Sequence, residues 1–345
     1  MHLRLLSLGF GNVGRALAAM LAAKADELRD RYDLTLSFAG IVTRSTGPVF
    51  FEEGVSAAQL VETAWPDGKV GAPVPPPLSD VLALIRQSPA DVVLELTPLN
   101  PHSGQPATDH IRAALAAGKH VVTANKGPIA YAYRELRALA REHGVALRFE
   151  STVMDGTPLF GMAEACLPAT TIHGFRGLLN STSNYVLGRM AAGETLEQAL
   201  AGAQRLGIAE ADPSNDLEGW DGAVKATVLA NVLMGADIRP SDVDRAGLGA
   251  EAMRAAQAAL APGETLKQLV VAGRSDSSGA TRASVRLAAL PPSDVFARLS
   301  GSETALMLRT DTMQDLTLIE GEGGPGQTAF GLVADLVAIA RRSPR

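Results

Sequence analysis

The residues with the clearest chemical potential lie between Ala203 and Lys225, in the stretch AQRLGIAEADPSNDLEGWDGAVK. It reads as a helix end, a polar loop and a new helix. Asp221 and Lys225 stand four apart on that new helix, so they share a face at roughly 5–6 Å. Asp216 falls near its N-terminus, where a carboxylate complements the helix dipole. A capped helix with a surface ion pair has the same spacing. A lysine becomes a general acid near neutral pH when partial desolvation and a second amine lower its pKa. Lys126 is the candidate second amine. It ends the segment GKHVVTANK at the strand end where ligands of open α/β folds sit. The plainer alternative is a lysine solvated on a loop.

A second group is the run Gly9-Phe10-Gly11-Asn12-Val13-Gly14, which fits G-x-G-x-x-G. Between a strand and a helix, such a turn lets a pyrophosphate approach the backbone amides at the helix N-terminus. An acidic residue ending the second strand would hydrogen-bond the ribose of NAD, but that segment reads Val42-Thr43-Arg44-Ser45. Arginine there favours a 2'-phosphate, so NADP is the expected cofactor with NAD as the alternative. A solvated loop charge would also account for Arg44.

The elements that must position these groups follow from the apolar pattern. Leu3–Leu8 reads as a strand, Arg15–Arg31 as a helix, and Leu34–Val42 as a second strand. Pro73–Pro77 is an extended loop before a helix at Leu78–Arg86, and Asp91–Leu96 is a third strand ending in Thr97-Pro98. A helix over Asp109–Ala117 capped by Gly118, a strand at His120–Thr123, a helix at Arg134–His143 and a strand at Val145–Phe149 follow. Alternating strand and helix imply an α/β, Rossmann-type, doubly wound parallel sheet. From about Thr152 the pattern becomes α+β. Strands are expected at Thr170–Leu179, Ser284–Leu290 and Ala305–Arg309, and helices at Thr182–Met190, Thr195–Leu206 and Leu217–Met234. The expected division is a dinucleotide-binding domain over 1–135, completed by 318–345, and a catalytic and dimerisation domain over 136–317.

Bulk properties narrow the function. With 345 residues, two domains are expected. A net charge of -6 without a basic cluster argues against nucleic-acid binding. The single cysteine, Cys166, excludes an intrachain disulfide and a thiolate metal site. The histidines lack metal-ligand spacing. No export signal or membrane-spanning run is read, so a soluble, cytoplasmic protein is expected.

The stretch from Ala203 to Lys225 resembles the signature of homoserine dehydrogenases, A-x3-G, then D-P-x2-D, then hydrophobic-x-G-x-D-x3-K, at every specified position. The resemblance extends through the Gly9 turn, ELTP at Glu95–Pro98, TANK at Thr123–Lys126 and LNSTSNY at Leu179–Tyr185 to the C-terminal glycine-rich segment. It implies NAD(P)-linked interconversion of L-aspartate 4-semialdehyde and L-homoserine, on the route to threonine, methionine and isoleucine. By resemblance, Lys225 is the proton donor to the aldehyde oxygen and Lys126 lies beside it at the nicotinamide. Glu210 and Asp221 bind the substrate ammonium, with Asp216, Asn180 and Thr182 in the same site. Thr97, Pro98, Gly324, Gly326 and Thr328 join the Gly9–Gly14 turn around the cofactor. Glu150-Ser151-Thr152-Val153-Met154-Asp155-Gly156-Thr157 resembles the family's monovalent-cation loop. There the Glu150 side chain and the carbonyls of Val153, Asp155 and Thr157 would surround sodium. Ser181 stands where the family usually has glycine, and the segment Gly323–Ala329 is shorter than the common G-P-G-A-G form.

The family also implies a homodimer formed through a sheet of the second domain. The chain ends just after the last helix of the catalytic unit, so inhibition by threonine through a C-terminal domain is not expected. Two other readings are another Rossmann reductase, resembling dihydrodipicolinate reductase, and a non-catalytic NADP-sensing protein. Neither gives a reason for the polar set from Glu210 to Lys225.

Overall fold

The computed structural model describes residues 1–66, 80–210, 212–275 and 279–342, and excludes the Arg342 side chain. The Pro73–Pro77 loop and the expected helix start at Leu78 lie outside the described residues. Two compact units emerge, Met1–Gly161 with Gly324–Arg345, and Met162–Gly323.

The first unit runs β1 (His2–Leu8), α1 (Asn12–Ala23), α2 (Ala25–Tyr32), β2 (Thr35–Thr43), β3 (Gly47–Val55), α3 (Ala57–Glu62), α4 (Val81–Gln87), β4 (Val92–Glu95), α5 (Ala107–Ala116), β5 (His120–Thr123), α6 (Lys126–Glu142) and β6 (Leu147–Arg148). Successive residues of the central strands feed two different cores. Val92, Leu94 and Val122 join one cluster with Leu17 and Leu21 of α1, while Val93 and Val121 join another with Ile111 of α5 and Leu136 of α6. Strands buried on both faces suit a parallel sheet covered by helices. The sheet order is β3-β2-β1-β4-β5-β6. Strand β1 pairs in parallel with β2 and with β4, placing the strand-order reversal directly beyond Gly9.

Helix α7 (Phe160–Cys166) spans the boundary between the units. The second unit continues with β7 (Ile172–Leu178), α8 (Ser181–Ala191), α9 (Leu196–Arg205), α10 (Ser214–Leu217), α11 (Trp220–Leu233), β8 (Asp244–Arg245), α12 (Ala250–Ala258), β9 (Thr265–Arg274), β10 (Thr281–Leu290), β11 (Thr304–Thr310) and β12 (Gln314–Glu320). Its sheet order is β12-β11-β7-β9-β10-β8, antiparallel except for β8. The last helix, α13 (Pro325–Arg342), returns to the first unit, where Leu332 and Leu336 enter the α1 core.

Several boundaries differ from expectation. Strand β3 is antiparallel to β2, and β3, α3, α12, β9 and β12 are additional elements. The helix expected over Arg15–Arg31 is interrupted at Lys24, and that over Leu217–Met234 by Gly219 at φ 78°. The expected division at 135 falls inside α6 and that at 317 inside β12. The continuous helix and the β11–β12 hairpin carry the chain past those points, to Gly161 and Gly323.

Candidate active site

In the first unit the Gly9 turn is shaped by close backbone crossing. Gly9 has φ 94°, and a Cβ there would lie 2.6 Å from the Leu96 carbonyl oxygen, so only glycine fits. Gly11 is the N-cap of α1, without a side-chain cap or an acidic residue in the first turn, and a Cβ on it would meet nothing within 4 Å. The helix start therefore keeps amides and open space for a phosphate, which fits a dinucleotide. Phe10 is buried edge-on against Phe38 and Trp65, so only its backbone is available there. Asn12 is exposed, Val13 packs on the core, and Gly14 lies against the Phe10 ring. Arg44 is exposed just after β2, beside hydroxyls of Thr43 and Thr46 that are 2.6 Å apart.

The loop after β4 is tied to the start of α6. Thr97 donates its hydroxyl to the buried Glu95 carboxylate. Asn125 caps α6, accepting from the Gly127 amide at 3.0 Å and donating to the Thr97 carbonyl at 3.0 Å. Pro98 follows in the same loop. Lys126 is the first residue of α6 rather than a loop lysine. Its side chain thus leaves the chain from the first turn of that helix.

The Glu150 carboxylate accepts three amides at the start of α7, from Leu159 (2.6 Å), Phe160 (2.7 Å) and Gly161 (2.6 Å). Burial pushes its pKa up against those three donors. Ser151 donates to the Thr328 carbonyl at 2.7 Å, and Thr328 donates to Asp155 at 2.9 Å. The carbonyls of Val153, Asp155 and Thr157 accept no backbone hydrogen bond among the described residues. No cluster of three or more acidic, histidine or cysteine side chains able to hold a metal occurs among the described residues, so a cation here would depend on carbonyls. Most of the glycine-rich segment Gly323–Ala329 is helical and not a loop. Helix α13 already starts at Pro325, because proline's fixed φ suits a first helical position. The Gly324 carbonyl accepts from Thr328, and no neighbour crowds Gly326.

In the second unit the sequence-separated polar residues converge. Asn180 caps α8 by accepting from the Ser183 amide at 2.7 Å, and its amide nitrogen donates to Asp216 (2.7 Å) and Asp221 (3.0 Å). Asp221 lies in the first turn of α11, 3.2 Å from the Lys225 ammonium, with both side chains mostly buried. Lys225 also donates to the Leu179 carbonyl at 2.5 Å. Thr182 is buried and donates to the Ile208 carbonyl at 3.1 Å. The Asp216 carboxyl is held above its ordinary pKa, first by burial and then by Asp221, against hydrogen bonds from Asn180 and Thr182 and the charge of Lys225. Glu210 stands apart. It is exposed, and no hydrogen bond or ion pair joins its carboxylate to this cluster among the described residues. The arrangement offers an amine held to one side by a carboxylate, and paired acids suited to an ammonium. The Asn180 bridge and a buried Lys267 behind it were not readable from spacing.

The family model described as "Homoserine dehydrogenase" matches residues 158–337, and that described as "Homoserine dehydrogenase, NAD binding domain" matches 9–150. The chain is 36% identical over 344 residues to the "NAD(+)-dependent homoserine dehydrogenase" of Pseudomonas canavaninivorans, covering 99% of this chain and 97% of that one. It is 34% identical to the homoserine dehydrogenase of Methanocaldococcus jannaschii, covering 96% of each. Among solved structures, a hyperthermophilic archaeal homoserine dehydrogenase in complex with NADPH superposes with TM-score 0.79 at 26% identity, covering 100% of this chain and 99% of that one.

Proposed function

This chain belongs to the homoserine dehydrogenase family, and on that footing we propose that Lys225 is its proton-transferring residue, with Lys126 as a second cation at the reacting oxygen. The activity is the NAD(P)-dependent interconversion of L-aspartate 4-semialdehyde and L-homoserine. A bound nicotinamide supplies or takes up the hydride. In the reductive direction Lys225 protonates the oxygen that develops negative charge, and in the oxidative direction it accepts the hydroxyl proton. Its ion pair with Asp221 and its hydrogen bond to the Leu179 carbonyl orient the amine, which is the observation that carries this reading. Asp216 and Asp221 receive the substrate ammonium, Asn180 fixes the two carboxylates relative to each other, and Thr182 supports Asp216. Glu210 joins them only if its loop folds inward on substrate.

The Gly9–Gly14 turn would hold the pyrophosphate through backbone amides, with Thr97, Pro98, Gly324, Gly326 and Thr328 nearer the nicotinamide. Arg44, with the adjacent hydroxyls, favours NADP by offering a cation to a 2'-phosphate. The name of the Pseudomonas relative points to NAD and the archaeal complex to NADPH. Arg44→Ala should lower the preference for NADP over NAD, which parallel assays with the two cofactors would read. Sodium would be held by the carbonyls of Val153, Asp155 and Thr157 and the remaining lone pair of Glu150, a hard-oxygen set that fixes the turn. A thermal midpoint raised by sodium chloride but not by choline chloride supports that site.

The main test is spectrophotometric. Reduction of NADP or NAD on addition of L-homoserine supports the reading. Cofactor binding without turnover would favour the dinucleotide-sensing alternative.

A further inference from the structure

We propose that Lys267 is a positioning residue for the amino-acid site, acting through Asn184 to fix the first turn of α8 and hence the aim of the Asn180 amide. The inference rests on the reading of the Asn180–Lys225 cluster as the substrate site.

Lys267 lies on β9 and is 3% exposed. Its ammonium donates to the Asn184 side-chain oxygen at 2.7 Å and to the Leu299 carbonyl at 2.5 Å, both neutral acceptors. Burial pulls its pKa down, with Glu303 opposing. A buried cation costs stability that an apolar side chain of similar length would recover. Retaining it calls for a task.

That task is visible in what Asn184 touches. Asn184 is 1% exposed, and its amide nitrogen donates to the Gly301 and Glu303 carbonyls at 3.2 Å each, while its oxygen accepts from Lys267. Its backbone amide donates to the Asn180 carbonyl at 3.1 Å, closing the first turn of α8. Asn180 in turn donates to both Asp216 and Asp221, and Asp221 pairs with Lys225. An unbroken polar chain therefore joins the buried ammonium of the sheet to the acid–base amine. Asn180 has a side chain that must serve two carboxylates with two hydrogens, so a small rotation of the α8 start loses one of them.

The test compares Lys267→Met, Lys267→Arg and Lys225→Ala with the wild-type full chain. Lys267→Met should raise the KM for homoserine about tenfold, the scale of one lost hydrogen bond, while the KM for NADP stays within about twofold. In the reductive direction, where Lys225 acts as its ammonium, the acidic limb of kcat/KM for L-aspartate 4-semialdehyde should move to higher pH, because a looser Asn180 donates less to Asp216, which also faces Asp221, Thr182 and Lys225. Lys267→Arg, which keeps the cation, should recover part of the loss. Wild-type constants and pH profile in folded Lys267→Met would overturn the proposal, as would an equal rise in both KM values. If Lys267→Met does not fold, Asn184→Ala is read by the same outcomes. Inactive Lys225→Ala beside normal Lys267→Met sinks the positioning role alone, whereas active Lys225→Ala sinks the underlying site.

Discussion

At the residue scale, the acid–base assignment makes the sharpest demand. Lys225→Ala should lower kcat by roughly 100-fold or more with NADPH binding nearly intact, since general acid catalysis contributes on that scale. Steady-state turnover with cofactor fluorescence titration reads both quantities. Asp216 carries the pH dependence. Its carboxyl is raised above the ordinary aspartate range, by burial and then by Asp221, and only the ionised form attracts the substrate ammonium. As pH falls through that raised pKa the site gains a proton, so in the reductive direction, where Lys225 acts as its ammonium, kcat/KM for L-aspartate 4-semialdehyde should drop at a pH higher than an ordinary aspartate would give. Asp216→Asn should remove this limb, and a limb left in place would assign it elsewhere. The spacing of Asp221 and Lys225 was legible because four residues make one helical step. Asn180 entered by resemblance alone, and its bridge to the two carboxylates was not readable, because those partners lie 36 and 41 residues away. Glu210 was included by resemblance, and its exposed carboxylate shows how little sequence matching says about a side chain's position.

At the element scale, the sheet of the first unit was readable where strands were short, apolar runs ending in glycine or a polar turn. The start of α6 was missed because Gly127 and Pro128 look like breakers, yet proline is tolerated in a first turn that Asn125 caps. Strand β9 was hidden by Lys267 and Gln268, two buried polar residues, of which the lysine is held by Asn184 and the Leu299 carbonyl. The same dependence on close packing governs the turn before α7. A Cβ on Gly156 would lie 2.1 Å from the Gln327 carbonyl oxygen, backbone that cannot rotate away. Gly156→Ala should therefore destabilise the first unit by about 1–3 kcal/mol, the usual cost of overpacking. A lowered thermal midpoint together with weaker NADPH binding would show that this crossing supports the cofactor segment. An unchanged midpoint would show that the turn relaxes freely.

At the scale of the whole molecule, the proposed chemistry needs a bound cofactor and a bound amino acid to meet. No described helix is long and apolar enough to cross a membrane. We propose a homodimer through the sheet of the second unit. Strand register places Val271, Met307 and Ile319 on one face, while Phe175, Ala272 and Leu308 point into the buried other face. Val271 and Ile319 are 36% and 53% exposed, apolar side chains that a second copy would cover. Val271→Asp should shift the mass measured by light scattering from dimer to monomer, and a wild-type mass would place the interface elsewhere. The most direct measurement is a crystal structure of the enzyme with both L-homoserine and NADP bound. The Lys225 amine should lie within hydrogen-bonding reach, about 2.6–3.2 Å, of the substrate hydroxyl oxygen, with Lys126 beside it. A hydroxyl facing away from both lysines, with its ammonium far from Asp216 and Asp221, would contradict the mechanism.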